Sequence, residues 1–343
     1  GGWKDMKQLS VDILPLFESV EDLQNASETM SKLYKNNFYR EHLSQRDNKQ
    51  SIMMGFSDGT KDGSYLMANW SIYKAKKELT NISRLSNISV VFFDGRGGPP
   101  SRGGGKTQQF YASMGNHIEN REIKTTIQGQ SISSKYGKID SAQYKIEKLN
   151  TAGLSSSAVP KNYTSGLHTS LTEAAANYSG NNIDGKKRDT LTPEDEAVFN
   201  ELSTYSYEYY TKLCTDPEYF NYLDQITPLR FIGKANIGSR PSKRQQNVQL
   251  SLDVLRAIPY VGSWNMVMQN ITGYFGLGYA LSKFKQSNRF HEVQGLYHHS
   301  LFFRTLLDNS EMSMFKVYFP LTAYLQHDKQ FANIWKIIYD EFE

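Results

Sequence analysis

The sequence predicts an α/β fold, most simply a portion of a (β/α)8-type barrel wrapped by additional α-helices and helix-rich overall. Three observations predict it. Short apolar runs near the start, VDILPLFES (11–19), SIMMGFSDGTKD (51–62) and ISVVFFDGRGG (88–98), each end in polar residues. Continuous runs of that length suit strands buried on both faces, as in a parallel sheet. Helical stretches separate them, and each strand-plus-helix unit takes about 40 residues, longer than a minimal βαβ unit.

In chain order, Ser19-Val20-Glu21-Asp22 starts a helix with acids in its first turn, after the first run. Tyr65 to Leu79 carries an Ala/Lys/Tyr pattern with few breakers and reads as a second helix. Residues 150–195 are rich in Ser, Asn, Gly and Lys and read as a mobile connection. Beyond it the pattern is helical and aromatic: Phe199 to Leu213, Val248 to Leu255, Leu277 to Phe284, and Leu296 to the end. Tyr205, Tyr207, Tyr209 and Tyr210 read as helix-packing residues. Residues 1–343 are expected to form one partial barrel domain: strand-helix units over 1–150, the connection, then a mainly helical part over 195–343. The opening Gly1-Gly2 without an initiator Met, and an end inside the amphipathic run KQFANIWKIIYDEFE, suggest a piece of a longer chain.

Composition narrows the function classes. Among 343 residues, 39 Lys and Arg oppose 35 Asp and Glu, a net +4, with 38% hydrophobic and 22% charged residues. That balance argues against a disordered chain and does not by itself imply nucleic-acid binding. The single Cys214 excludes an internal disulfide framework and a Cys-rich zinc site, and suits a reducing compartment. No apolar run approaches the roughly 20 residues of a membrane helix, and the first ten residues lack the core of a secretory signal. The expectation is a cytoplasmic protein without membrane or nucleic-acid partners.

FFDGRGGPPSRGGGKTQQ (92–109) is the most informative stretch. Glycines around Arg96 and Arg102 let backbone N–H groups approach an anion, and two guanidinium forks can grip phosphate or carboxylate oxygens. A Walker A loop ending at Gly105-Lys106-Thr107 and a dinucleotide loop starting at Gly95 both need glycine where Pro100 stands. A folded anion-binding loop, a structural turn and an RGG-type nucleic-acid segment remain the readings of this stretch.

Glu18 and Asp58 end the other two runs. At neighbouring barrel strands they would converge on the catalytic mouth and share a hard divalent cation; the other reading is that each caps the next helix. Lys61 lies beside Asp58, a solvated lysine unless a phosphate is near. Arg240 and Arg244 sit in the Gly/Pro-bounded loop NIGSRPSKRQQ, and Arg256 stands between apolar residues in LDVLRAIPY. A partly buried guanidinium there needs an anion or an internal salt bridge. The seven histidines make no HxH or HExxH pattern, and Cys214 has no local activating partner.

Taken in order, LFESVEDLQNA, MMGFSDGTKDGSYLMANW, FFDGRGGPPSRGGGKT, TIQGQSISSKYG, IGSRPSKR, LRAIPY and YFGLGYAL resemble phosphoenolpyruvate carboxylase from residue 16 to about 281, with a weaker likeness through FFRTLLDNSEMSMFKVYF. The resemblance implies the catalytic-barrel part of a chain more than twice as long. Its reaction joins bicarbonate and phosphoenolpyruvate to give oxaloacetate and phosphate, through carboxyphosphate and a metal-bound enolate, with Mg²⁺ or Mn²⁺. It makes Glu18 and Asp58 the metal carboxylates and Lys61 a catalytic lysine that helps to place bicarbonate. Arg96 and Arg256 become phosphate contacts, Arg240 a further catalytic arginine, and Arg102 a catalytic residue on a mobile loop. Arg102 and Lys316 together would hold an aspartate or malate effector, and a homotetramer is the usual assembly.

Three departures accompany the likeness. Asp94 replaces the His of the family's FHGRGG, Pro99-Pro100-Ser101 stiffens the loop, and Trp264-Asn265-Met266 replaces Trp-Thr-Gln. A histidine and another phosphate arginine of the family lie in sequence preceding this segment, so the chain alone is expected to be inactive. A non-catalytic effector-binding or scaffolding homologue, motivated by Asp94, is the alternative; an Arg/Gly nucleic-acid binder is the third reading.

Overall fold

A computed structural model describes residues 11–115, 117–127, 129–156, 191–232 and 250–343. Strands β1 (Leu16–Phe17), β2 (Lys49–Gly55), β3 (Ser89–Gly95) and β4 (Ile123–Thr125) form one sheet in chain order. Every pairing is parallel, with Phe17 opposite Met54, Gly55 opposite Gly95 and Asp94 opposite Thr125. All four C-terminal strand ends therefore open on one edge, where parallel α/β folds place their chemistry. The described residues give a helix-rich α/β fold with a parallel sheet.

The apolar runs end earlier than expected because their polar tails belong to other elements. SDGTKD lies in helix α3 (Phe56–Gly63), which follows β2 without a loop. β2 also alternates, with Gln50, Ile52 and Met54 buried and Ser51 and Met53 half-exposed, instead of being buried on both faces. β4 is short and half-buried, which explains why no apolar run announced it.

Helix α1 (Val20–Lys35) begins where the sequence predicts, with a reciprocal capping box. Ser19 Oγ accepts from the Asp22 N–H at 3.0 Å and Asp22 Oδ2 accepts from the Ser19 N–H at 3.2 Å. Its Leu23, Ala26, Met30 and Tyr34 face is buried against α4 (Tyr65–Leu85). Between them lies α2 (Asn37–Ser44). After β3 come α5 (Thr107–Ala112), α6 (Gly129–Tyr136) and α7 (Ile139–Ser156). Helix α8 (Pro193–Cys214) crosses α4, where the Trp70 ring stacks on Phe199 at 4.3 Å and Trp70 Nε1 donates to Asn200 Oδ1 at 2.7 Å. One core gathers on the sheet, α1 and α4. A second forms between the C-terminal half of α8, α9 (Tyr219–Ile226), α10 (Leu229–Ile232), α11 (Ala257–Met266) and α15 (Ala332–Phe342). α12 (Leu277–Gln286), α13 (Phe290–His299) and α14 (Leu301–Met314) complete the set.

The expected helix over Val248–Leu255 is a correction. Its described part, from 250, is a single turn closed by the Leu255 N–H on the Ser251 carbonyl at 3.2 Å, and the Leu252 carbonyl is spent on Lys61 Nζ at 2.7 Å. Three of the four tyrosines of α8 pack as expected: Tyr205 meets the Phe284 ring, Tyr209 stacks on Phe275 and Tyr279, and Tyr210 is buried; Tyr207 is a correction, its side chain being exposed.

Glu341 ties α15 to α12 by accepting from the N–H groups of Gly276, Gly278 and Tyr279 at 2.8, 2.9 and 3.2 Å. Burial outweighs those bonds and pushes its pKa from 4.5 up to about 7. A raised carboxyl pKa adds stability in full below about pH 4.5, and that contribution is lost as pH rises through about 7. Glu341→Gln keeps an acceptor for the helix end, so urea unfolding is expected to lose this decline between those pH values.

Candidate active site

β1 delivers Glu18 to the edge, and β2 runs through Gly55 into α3, whose first turn carries Asp58. A Cβ on Gly55 would lie 2.8 Å from Glu18 Cγ, so the absence of a side chain there lets Glu18 cross the end of β2. The Glu18 carbonyl lies 3.1 Å from where Gly59 would carry its Cβ, which sets the two acidic residues' segments side by side. Asp62 Oδ2 fastens this junction by accepting the Val20 N–H at 3.2 Å.

Lys61 is almost fully buried, and its Nζ donates to Leu252 O beside the segment that carries Arg256. Its carbonyl accepts from Tyr210 Oη at 2.7 Å. Tyr210 has one phenolic proton, so Tyr260, 2.8 Å away, donates to Tyr210, and Tyr219, 2.5 Å from Tyr260, donates to Tyr260. This buried hydroxyl chain holds the backbone of Lys61. Cys214 lies against it, and burial pushes the thiol up to about 12, which makes it an unreactive core residue.

The glycine-arginine stretch is a folded turn. Gly97 N–H bonds the Arg102 carbonyl at 2.5 Å, Arg102 and Gly104 N–H both bond the Pro99 carbonyl, and Pro100–Arg102 form a 3-10 turn. A Cβ on Gly104 would fall 1.9 Å from the Gly98 carbonyl oxygen, a close approach only glycine allows. The turn is pinned to α14, where Asn309 Oδ1 accepts from the Lys106 N–H at 2.9 Å and Asp308 pairs with Lys106 at 2.6 Å. This order is unlike the disordered repeats that bind nucleic acid.

Arg102 turns inward, and its Nε donates to Ser57 Oγ at 3.0 Å. Burial pulls its pKa down to about 10, and the neighbouring Asp58 carboxylate opposes that shift. Arg96 is 5% exposed, and its guanidinium lies 4.2 Å from the Phe110 ring centre. Its Nε donates to the Gly103 carbonyl, while its buried Nη1 meets no acceptor.

Arg96 opens onto a cavity of about 340 Å³ that Lys106, Lys135, Lys145 and Lys148 also line. No acidic side chain lines it among the described residues. Burial, then repulsion from Lys145 and Arg96, lowers the Lys135 pKa. Sequence reasoning missed these lysines, although Lys145 and Lys148 stand three apart on one helix face. Glu18, Asp58 and Lys61 do not line this cavity, although Asp58 neighbours Arg102. Lys316 lines a different cavity, of about 400 Å³, with Pro99, Pro100 and Ser101. Arg256 is half-buried at the start of α11, with its Nε enclosed and unbonded. Arg240 and Arg244 lie outside the described residues. The described candidate residues thus do not line one common hollow.

Asp94 does not face this edge. It is fully buried, with Lys76 Nζ 2.7 Å from Oδ1 and 2.8 Å from Oδ2, and Tyr111 Oη donating to Oδ2 at 2.9 Å. Asp94 therefore enters the core as half of an ion pair.

Gly104→Ala is expected to break the turn. Thermal or urea unfolding should show a loss of about 1–3 kcal/mol, and proteolysis should cut near residues 97–105.

Residues 2–343 match the family model for phosphoenolpyruvate carboxylase. The chain is 34% identical over 351 residues to the phosphoenolpyruvate carboxylase of Corynebacterium diphtheriae, covering 99% of this chain and 36% of that protein. It is 34% identical over 343 residues to that of Corynebacterium glutamicum, covering 97% of this chain and 34% of that protein. The chain spans about a third of the length of these curated relatives. A match of that extent shows that this chain belongs to the phosphoenolpyruvate carboxylase family.

Proposed function

We propose that the complete protein carrying this chain carboxylates phosphoenolpyruvate with bicarbonate to oxaloacetate and phosphate, and that this chain supplies most of the reacting edge of a (β/α)8-type barrel. One observation carries the reading: the buried Arg96 guanidinium, at the C-terminal edge of a parallel sheet, has an unsatisfied Nη1 and faces a cavity of lysines. A buried guanidinium facing half-buried lysines, in a cavity that no acidic side chain lines among the described residues, fits a multiply charged phosphate ester.

Glu18 and Asp58 suit a hard divalent cation, Mg²⁺ or Mn²⁺. Two carboxylates on adjacent strand ends supply oxygen ligands, and the bare Cα of Gly55 makes room for one of them. Such a cation would neutralise charge on phosphate and enolate oxygens. Arg96, with Arg256, binds the phosphoryl group and stabilises charge on its equatorial oxygens as a bicarbonate oxygen attacks phosphorus and the P–O bond to the enolate breaks. Carboxyphosphate then splits to CO₂ and phosphate, and the enolate carbon attacks CO₂. Lys61 helps to place bicarbonate, and Arg240 adds a further cation. Arg102 on its turn excludes water that would protonate the enolate to pyruvate.

The same turn offers a place for control. Arg102 now points to Ser57, while Lys316 opens on the cavity behind Pro99–Ser101. An aspartate or malate effector held by both would draw Arg102 away from the reacting edge. The assembly proposed is a cytoplasmic homotetramer; no described helix is long and apolar enough to cross a membrane.

The test is bicarbonate-dependent oxaloacetate formation by the complete protein. Activity should vanish with a chelator and return with Mg²⁺, and Arg96→Met should lower kcat/KM for phosphoenolpyruvate by about 10²–10⁴-fold. A complete, folded protein that forms no oxaloacetate under these conditions would leave the scaffolding alternative.

A further inference from the structure

Asp94 and Arg96 are two residues apart, both buried, at the end of β3. They share neighbours. Tyr111 donates to Asp94 Oδ2 at 2.9 Å while its ring centre lies 5.3 Å from the Arg96 guanidinium. Phe110 has Lys76 Nζ 5.7 Å from its ring centre and Arg96 at 4.2 Å. A lone buried carboxylate here would have Arg96 as an available countercharge, and pairing the two would fill the guanidinium that an incoming anion must meet.

Lys76 prevents that. It reaches from the middle of α4, is 2% exposed, and places its ammonium against both Asp94 oxygens. The Asp94 carboxylate faces Lys76 from α4 and Tyr111 from α5, with Arg96 the nearby charge on its own segment. Across the sheet, its neighbours in register are Met54 and Thr125, neither of which is charged.

We infer that Lys76 is a positioning residue whose ion pair with Asp94 keeps that carboxylate off Arg96, so that the Arg96 guanidinium stays open for the substrate's phosphoryl group. Without Lys76, Asp94 becomes an internal competitor of the substrate. The inference rests on the reading that Arg96 binds phosphate, and it explains how the chain tolerates an acid two residues before that arginine. Neither Lys76 nor Asp94 touches substrate in this account.

The test uses the complete protein and separates KM from kcat. Lys76→Met should raise the KM for phosphoenolpyruvate about 10–100-fold with kcat changed less than about threefold. The inhibition constant of inorganic phosphate should rise alongside it. Adding Asp94→Asn to that variant removes the competing charge and should bring KM back to within about threefold of the parent value. Lys76→Gln, which leaves the carboxylate a hydrogen-bond donor, is the second variant should Lys76→Met not fold, and should show a smaller rise that Asp94→Asn also reverses. An unchanged KM in both Lys76 variants, or a double variant as impaired as the single one, overturns the inference. Arg96→Met keeps the two ideas apart: if it leaves KM and kcat unaltered, the phosphate assignment fails on its own.

Discussion

Parallel pairing in chain order is the constraint on which the site depends. Because β1 to β4 align without reversal, each strand delivers its last residue to the same edge: Glu18, the Gly55–Asp58 junction, Arg96 and the Thr125-Thr126 pair. A parallel strand needs a crossover, and α1 and α4 supply it while covering one face of the sheet. The capping box at Ser19 and the bond from Val20 N–H to Asp62 then fix where the first crossover leaves.

Charge is handled along this edge by enclosure and by partners chosen one at a time. Arg96 lies among Phe56, Phe110 and Tyr111 rings, which give a guanidinium favourable contact without an acid. Arg102 has Ser57 and the field of Asp58. Lys61 is directed to a carbonyl and its backbone rests on the phenol chain of Tyr210, Tyr260 and Tyr219. The strongest opposite pair, Lys76 with Asp94, is placed behind the edge. The result is a positive cavity in which burial first, and then repulsion from Lys145 and Arg96, lowers the Lys135 pKa. An anion would relieve that repulsion, which is the physical basis of the phosphate-ester proposal.

Much of this was legible beforehand, for local reasons. The strand-helix alternation follows from apolar runs and cap residues, and Ser19 with Asp22 announced a helix start that the structure has. Two of the three readings of the glycine-arginine stretch, an anion-binding loop and a structural turn, made it folded, and its backbone does close on itself. Other features left no local trace. β4 has two half-buried residues, one exposed residue and no apolar run, and at 250–255 a single turn stands in place of a helix, with its Leu252 carbonyl bonded to Lys61, far away in sequence.

By itself the sequence determined the class of fold, the family, and the identity of the charged residues, since strand period, capping chemistry and ordered motifs all act within a few residues of chain. Tertiary structure alone decided which charges meet. Asp94 read as an acid near the reacting edge, yet a lysine from a helix 18 positions earlier draws it into the core. The lysines of α6 and α7 joined Arg96, and Lys316 was set on the far side of the Pro99–Ser101 turn. Electrostatic energy depends on distance and desolvation, and neither exists until elements remote in the chain have packed.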